Sequence, residues 1–136
     1  MKLLNYILII NLFIFSCNTQ EDFIQDVYVN EQVDLSLPIH SEISITGNSI
    51  FIDGGVEGII IYHGVGDYYK AYDRNCSIEP SLACSRIDSV NSGIAYCGCC
   101  PAAFLISNNG EALHHAQLPL KAYHCIINNN ILTITN

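Results

Sequence analysis

The chain is poor in positive charge. Only five of its 136 residues are lysine or arginine, against thirteen acidic ones, and the formal net charge is −8. Lys2 lies at the N-terminus, and Lys70, Arg74, Arg86 and Lys121 are scattered singly. Without a basic cluster there is no electrostatic footprint for nucleic acid or for anionic lipid head groups. No apolar run reaches the roughly 20 residues that a bilayer-spanning helix requires. No stretch keeps a helical hydrophobic period beyond a turn or two. A nucleophile elbow, a phosphate loop and a His-Glu-x-x-His signature are all missing, which counts against the commonest hydrolase, nucleotide-binding and metalloprotease chemistries.

What is present begins at the N-terminus. Met1-Lys2 is followed by an apolar stretch from Leu3 to Phe15, then Ser16-Cys17, then the polar run Asn18 to Asp22. A charged start, a short greasy core and a small residue at the cut mark a secretory signal peptide. Ile14-Phe15-Ser16-Cys17 also resembles a lipobox, in which the cysteine becomes the new N-terminus and carries acyl chains. The expected organisation is a signal peptide over 1–16, a lipidated tether over 17–26 and one domain over 27–136. Several acyl chains on Cys17 would hold the protein stably to a membrane. The cell envelope is the expected location, and Asn18 after Cys17 favours the outer membrane.

From Val27 onward the pattern is β. Val27–Asn30 and Gln32–Leu37 alternate apolar and polar residues, as do Ile43–Thr46 and Ser49–Asp53. Such alternation marks half-buried strands. Gly58–Tyr62 is continuously apolar, as expected of a central strand. Further strands are expected at Tyr68–Asp73, Ser85–Val90, Gly93–Tyr96 and Ala103–Ile106, the last closed by the turn Asn108-Asn109-Gly110. Lys121–Ile127 and Asn130–Thr135 form a final hairpin around Asn128-Asn129. Many short strands at this spacing predict an all-β sandwich or barrel of antiparallel strands.

Cysteine is abundant, with seven in all. Setting Cys17 aside leaves Cys76, Cys84, Cys97, Cys99, Cys100 and Cys125. An even number in an exported domain reads first as disulfides. Five of the six, however, fall within residues 76–100, a clustering that points to a site. Cys97-Gly98-Cys99-Cys100 contains a C-x-x-C, but thioredoxin-type chemistry places that motif at a helix N-terminus, which an all-β chain lacks.

Four segments carry a resemblance. Tyr72-Asp73-Arg74-Asn75-Cys76, Cys97 to Phe104, Asn109-Gly110-Glu111 and Leu118 to Tyr123 resemble, in order and spacing, the C-terminal half of a Rieske iron–sulfur domain. Val27–Asn30, Gly54–Ile60 and the lipobox extend the likeness to Rieske-like lipoproteins of Bacteroidota, over roughly residues 25 to 136. The resemblance implies a small Rieske-like all-β domain, an electron-transfer role with a protein partner, and a [2Fe–2S] cluster. In a Rieske centre two thiolates hold one iron and two imidazoles the other. Cys76 and Cys97 match the thiolate positions. Ile78 and Cys100 stand where the two histidines should be, so both cluster-ligand histidines are missing.

Several outcomes remain open from the residues. Cys76, Cys84, Cys97 and Cys100 would make a four-thiolate set for a [2Fe–2S] cluster or a zinc ion. Many Rieske domains also join their two loops by a disulfide. By that resemblance Cys99 is the second-loop partner and Cys84 a candidate for the first, leaving Cys76, Cys97 and Cys100 as three ligands. A cofactor-free module stapled by disulfides, from Cys76 or Cys84 to Cys99 or Cys100, is the alternative function, and a structural zinc site is another. His114 and His115 lie where the third loop of a Rieske domain covers its cluster.

Overall fold

A computed structural model of the protein describes residues 23–136. The expected signal peptide, Cys17 and most of the expected tether lie outside the described residues. Among the described residues ten strands form: β1 (Asn30–Asp34), β2 (Ser49–Ile52), β3 (Ile59–Gly64), β4 (Tyr68–Asp73), β5 (Ile87–Asn91), β6 (Ile94–Cys97), β7 (Ala103–Leu105), β8 (Glu111–His114), β9 (Ala122–Asn128) and β10 (Ile131–Thr135). All pair antiparallel, in a six-stranded sheet ordered β1-β10-β9-β4-β3-β2 and a four-stranded sheet ordered β5-β6-β7-β8. Among the described residues no helix is long and apolar enough to cross a membrane.

Strand β3 explains the layering. All six of its residues are buried, and their alternation feeds two cores. Ile59 and Ile61 pack with Val33, Ile43, Leu132 and Ile134 inside the curl of the large sheet. Ile60 and Tyr62 face the other way, packing with Tyr72, Ile87, Phe104 and Ile106 between the two sheets. A strand covered on both faces needs apolar residues at every position, and that is why Gly58–Tyr62 shows no alternation.

Three stretches depart from the sequence expectation. Ile43–Thr46 is no strand: a 3₁₀ helix over Pro38–Ser44 carries Ile43 inward, where it is fully buried, and leaves Ile45 exposed. Pro38 starts that helix, where its fixed φ fits and its missing N–H is not needed. Of Val27–Asn30 only Asn30 joins a strand. The Asn136 side chain takes a partner's place, accepting from the Val29 N–H at 3.1 Å and donating to the Val27 carbonyl at 2.9 Å. Glu111–His114 forms the edge strand β8, unforeseen because its short, mostly exposed run carries little apolar pattern.

Candidate metal centre

Asp73, at the end of β4, starts the first cysteine loop. Its carboxylate is fully buried and accepts hydrogen bonds from the Val56 and Asn75 N–H groups at 2.7 Å, from Glu57 N–H at 3.3 Å and from the Tyr123 hydroxyl at 2.6 Å. Four donors converging on one buried carboxylate satisfy it and fix the chain around it. Asn75 then bridges to Arg86, and Cys76 N–H donates to Ser85 O at 2.8 Å. Two hydroxyls brace the loop: Ser85 donates to Ile78 O at 2.6 Å and Ser77 to Leu118 O at 2.7 Å. Asp73 lies in one of the segments that carry the resemblance, whereas Ser77 and Ser85 have no motif that marks them in the sequence. Their roles come from the fold.

The second loop is the hairpin between β6 and β7. Cys97 ends β6 opposite Ile87, its N–H donates to Ala102 O at 3.2 Å, and Gly98 N–H reaches Arg86 O at 3.1 Å. A Cβ on Gly98 would lie 2.5 Å from an oxygen of the exposed Asp88 carboxylate, which would have to turn away.

These two loops bring three thiols together. The Sγ atoms of Cys76, Cys97 and Cys100 all lie within 4.8 Å of one another, with Cys76 and Cys100 3.5 Å apart. Cys76 is buried and the other two are half-buried. Cys84 does not join them: it forms a disulfide with Cys99, with the two Cα atoms 5.8 Å apart. The four-thiolate set that includes Cys84 is therefore not assembled, because the bond to Cys99 consumes its sulfur. That disulfide is one of the pairings left open by the sequence. Cys125 sits apart on β9, packed against the other core.

Burial pushes the Cys76 thiol up to about 12, and burial together with the neighbouring Cys97 raises Cys100. Burial also works against Cys97, but hydrogen bonds from Cys100, from the Cys99 backbone and from Cys76 outweigh it and lower that thiol. The triad thus surrenders its first proton at Cys97, where two neighbouring thiols steady the thiolate.

The histidines divide. His114 lies on β8 opposite Ala103, and exposed. His115, in a left-handed conformation at φ 57°, lines an open cleft of ≈ 500 Å³ with Ser77, Ile78, Glu79, Leu82 and Leu118, beside the first cysteine loop. Neither ring contributes a nitrogen to the thiol group.

No protein-family model and no curated protein sequence matches this chain. Solved structures do. A chain of the complex of reduced oxygenase and oxidized ferredoxin in carbazole 1,9a-dioxygenase superimposes with a TM-score of 0.51 at 12% identity, covering 82% of this chain and 94% of that one. The ferredoxin of carbazole 1,9a-dioxygenase from Nocardioides aromaticivorans IC177 gives 0.47 at 12% identity, over 66% and 86%. The fold is Rieske-like.

A Rieske cluster fits this tip poorly. Its ligand set needs two imidazoles, and the structure has the Ile78 side chain packed into the core at one such position and the Cys100 thiol at the other. What the Rieske-like tip offers instead is three thiols close enough to share one ion.

Proposed function

We propose that the chain is a membrane-anchored metal–thiolate protein, in which Cys76, Cys97 and Cys100 bind one soft metal ion at the tip of a Rieske-like domain. The mutual proximity of the three Sγ atoms, within 4.8 Å, carries this reading. Metal–thiolate bonds of about 2.3 Å in tetrahedral geometry set the sulfurs about 3.8 Å apart, so the triad needs little movement to close on an ion. Thiolates select iron–sulfur clusters, zinc and monovalent copper over hard cations. An iron ion here would make the domain an electron-transfer component, a role supported by its likeness in fold to a ferredoxin. Zinc would make the site structural. The anchor rests on the Cys17 reading.

A second reading has its own observation. At 3.5 Å, Cys76 and Cys100 are close enough to form a second disulfide beside Cys84–Cys99, giving a cofactor-free stapled module. Metal analysis of the anaerobically purified full chain, with a count of alkylatable thiols, separates the two. The proposal expects one metal equivalent, lost in Cys97→Ser and kept in Cys125→Ser. A metal-free protein with Cys76 bonded to Cys100 supports the second reading. Two irons per chain with visible absorption would restore the cluster.

A further inference from the structure

Three sulfurs meet at the tip without a fourth ligand. Among the described residues no imidazole or carboxylate joins Cys76, Cys97 and Cys100, and the other free thiol, Cys125, packs against the other core. Zinc takes four ligands in a tetrahedron, so its fourth position here would fall to water. A trivalent ion that keeps a lone pair is complete with three ligands: its bonds form a pyramid and the lone pair takes the fourth direction. The bond angles of such a pyramid are narrower than tetrahedral ones, so its sulfurs sit closer than the spacing of about 3.8 Å around zinc. Cys76 and Cys100 already stand at 3.5 Å.

Charge points the same way. Cys97 and Cys100 pack with Ile78 against a core that holds Cys76, Ile87, Ala102 and Phe104. Each basic side chain among the lysines and arginines of the described residues is engaged elsewhere. Lys70 donates to Ser107 O and Asn109, and Lys121 to Gln25 O and Asp26. Arg74 donates to Ile87 O beside the Phe51 ring, and Arg86 reaches Glu57 at 4.0 Å. Bound by three thiolates, monovalent copper leaves two uncompensated negative charges and zinc leaves one. A trivalent ion leaves none. Charge held against apolar side chains without a counter-ion is costly, so the neutral complex suits this site.

We infer that the triad is a binding site for the neutral trihydroxides of trivalent arsenic and antimony, which it converts to a trithiolate. This rests on the three-thiolate reading of the proposed function. In each of three exchanges one As–O bond breaks, one As–S bond forms, and the thiol proton leaves with the hydroxide as water. Arsenic stays trivalent, and no oxidant or reductant takes part. Reactant and product are both uncharged. The half-buried Cys97 and Cys100 are the open face at which the ion enters, and the buried Cys76 closes the last bond.

Arsenite added to the anaerobically purified full chain, after dialysis against a chelator, tests this by native mass spectrometry. One arsenic should bind per chain with a mass gain of one arsenic less three hydrogens, and equimolar zinc should leave that adduct in place. Cys97→Ser, at a half-buried position, should bind arsenic through two sulfurs with one hydroxyl retained. It should hold the ion roughly a hundredfold more weakly, since one intramolecular contact is gone. Cys125→Ser should match the parent chain. A parent adduct that retains a hydroxyl, equal affinity in Cys97→Ser, or displacement by equimolar zinc overturns the inference. So does a chain that binds zinc or cuprous ion and refuses arsenite, a result that leaves the three-thiolate reading intact. If none of the three ions binds, that reading falls as well.

Discussion

The Tyr123 hydroxyl donates to the Asp73 carboxylate across 2.6 Å, joining the last long strand of the large sheet to the root of the first cysteine loop. Gly55 is packed against the same pair: a Cβ there would collide with the carboxylate and come within 2.9 Å of the hydroxyl. Asp73→Asn places an amide N–H₂ against donors and is expected to destabilise the domain by about 3 kcal/mol, and Tyr123→Phe by about 2 kcal/mol. Urea denaturation of the two single variants and the double variant checks this. The effects should be less than additive, since the two groups share one bond.

The Cys84–Cys99 disulfide closes a sequence separation of 15 residues, and both cysteines are exposed. Removing it with paired serines is expected to cost about 3 kcal/mol. Because reductant reaches an exposed bond directly, mild reduction should lower the melting temperature without prior unfolding. Calorimetry with and without reductant reads the change.

Thiol reactivity should follow burial. In the metal-free protein at pH 8, Cys97 carries the most thiolate and should be alkylated first. Cys76, pushed up to about 12, and Cys125, pushed up to about 11, should resist until the chain unfolds. The linkage to stability has a definite sign. A thiol raised from its ordinary 9 to about 12 by folding stays protonated in the native state while the unfolded chain ionises. Its contribution is complete below pH 9 and is lost as pH rises from 9 towards 12. Urea midpoints should fall over that window, and less steeply in Cys76→Ala.

Metal binding should release protons. Cys76 and Cys100 are both raised and hold theirs at neutral pH. Affinity for zinc, measured by chelator competition, is therefore expected to increase between pH 6 and 8. A pH-independent affinity would mean that the ion does not displace these protons.

Much of the fold is legible from periodicity. The unbroken apolar run at Ile59–Tyr62 announces a strand buried on both faces, and Asn108-Asn109-Gly110 announces the turn before β8. The closing hairpin is displaced by one residue: Asn129 and Asn130, both at positive φ, make its turn, because either asparagine tolerates the left-handed region. Ile43 and Ile45 alternate like a strand, yet Pro38 commits the segment to a tight helix. The site is legible only in outline. Spacing groups five cysteines, but which sulfurs meet depends on how two loops cross, and the Asn75–Arg86 bridge that sets this crossing leaves no local mark. The same holds for His115, adjacent to His114 in sequence but turned towards the cleft by its left-handed backbone.

X-ray absorption at the edge of the bound metal, recorded on the anaerobically purified full chain, tests the central claim most directly. A single ion on Cys76, Cys97 and Cys100 predicts a first shell dominated by sulfur at about 2.3 Å with no second metal behind it. A metal–metal vector would show a cluster, and imidazole scattering would put a histidine among the ligands; either result would contradict the three-thiolate centre.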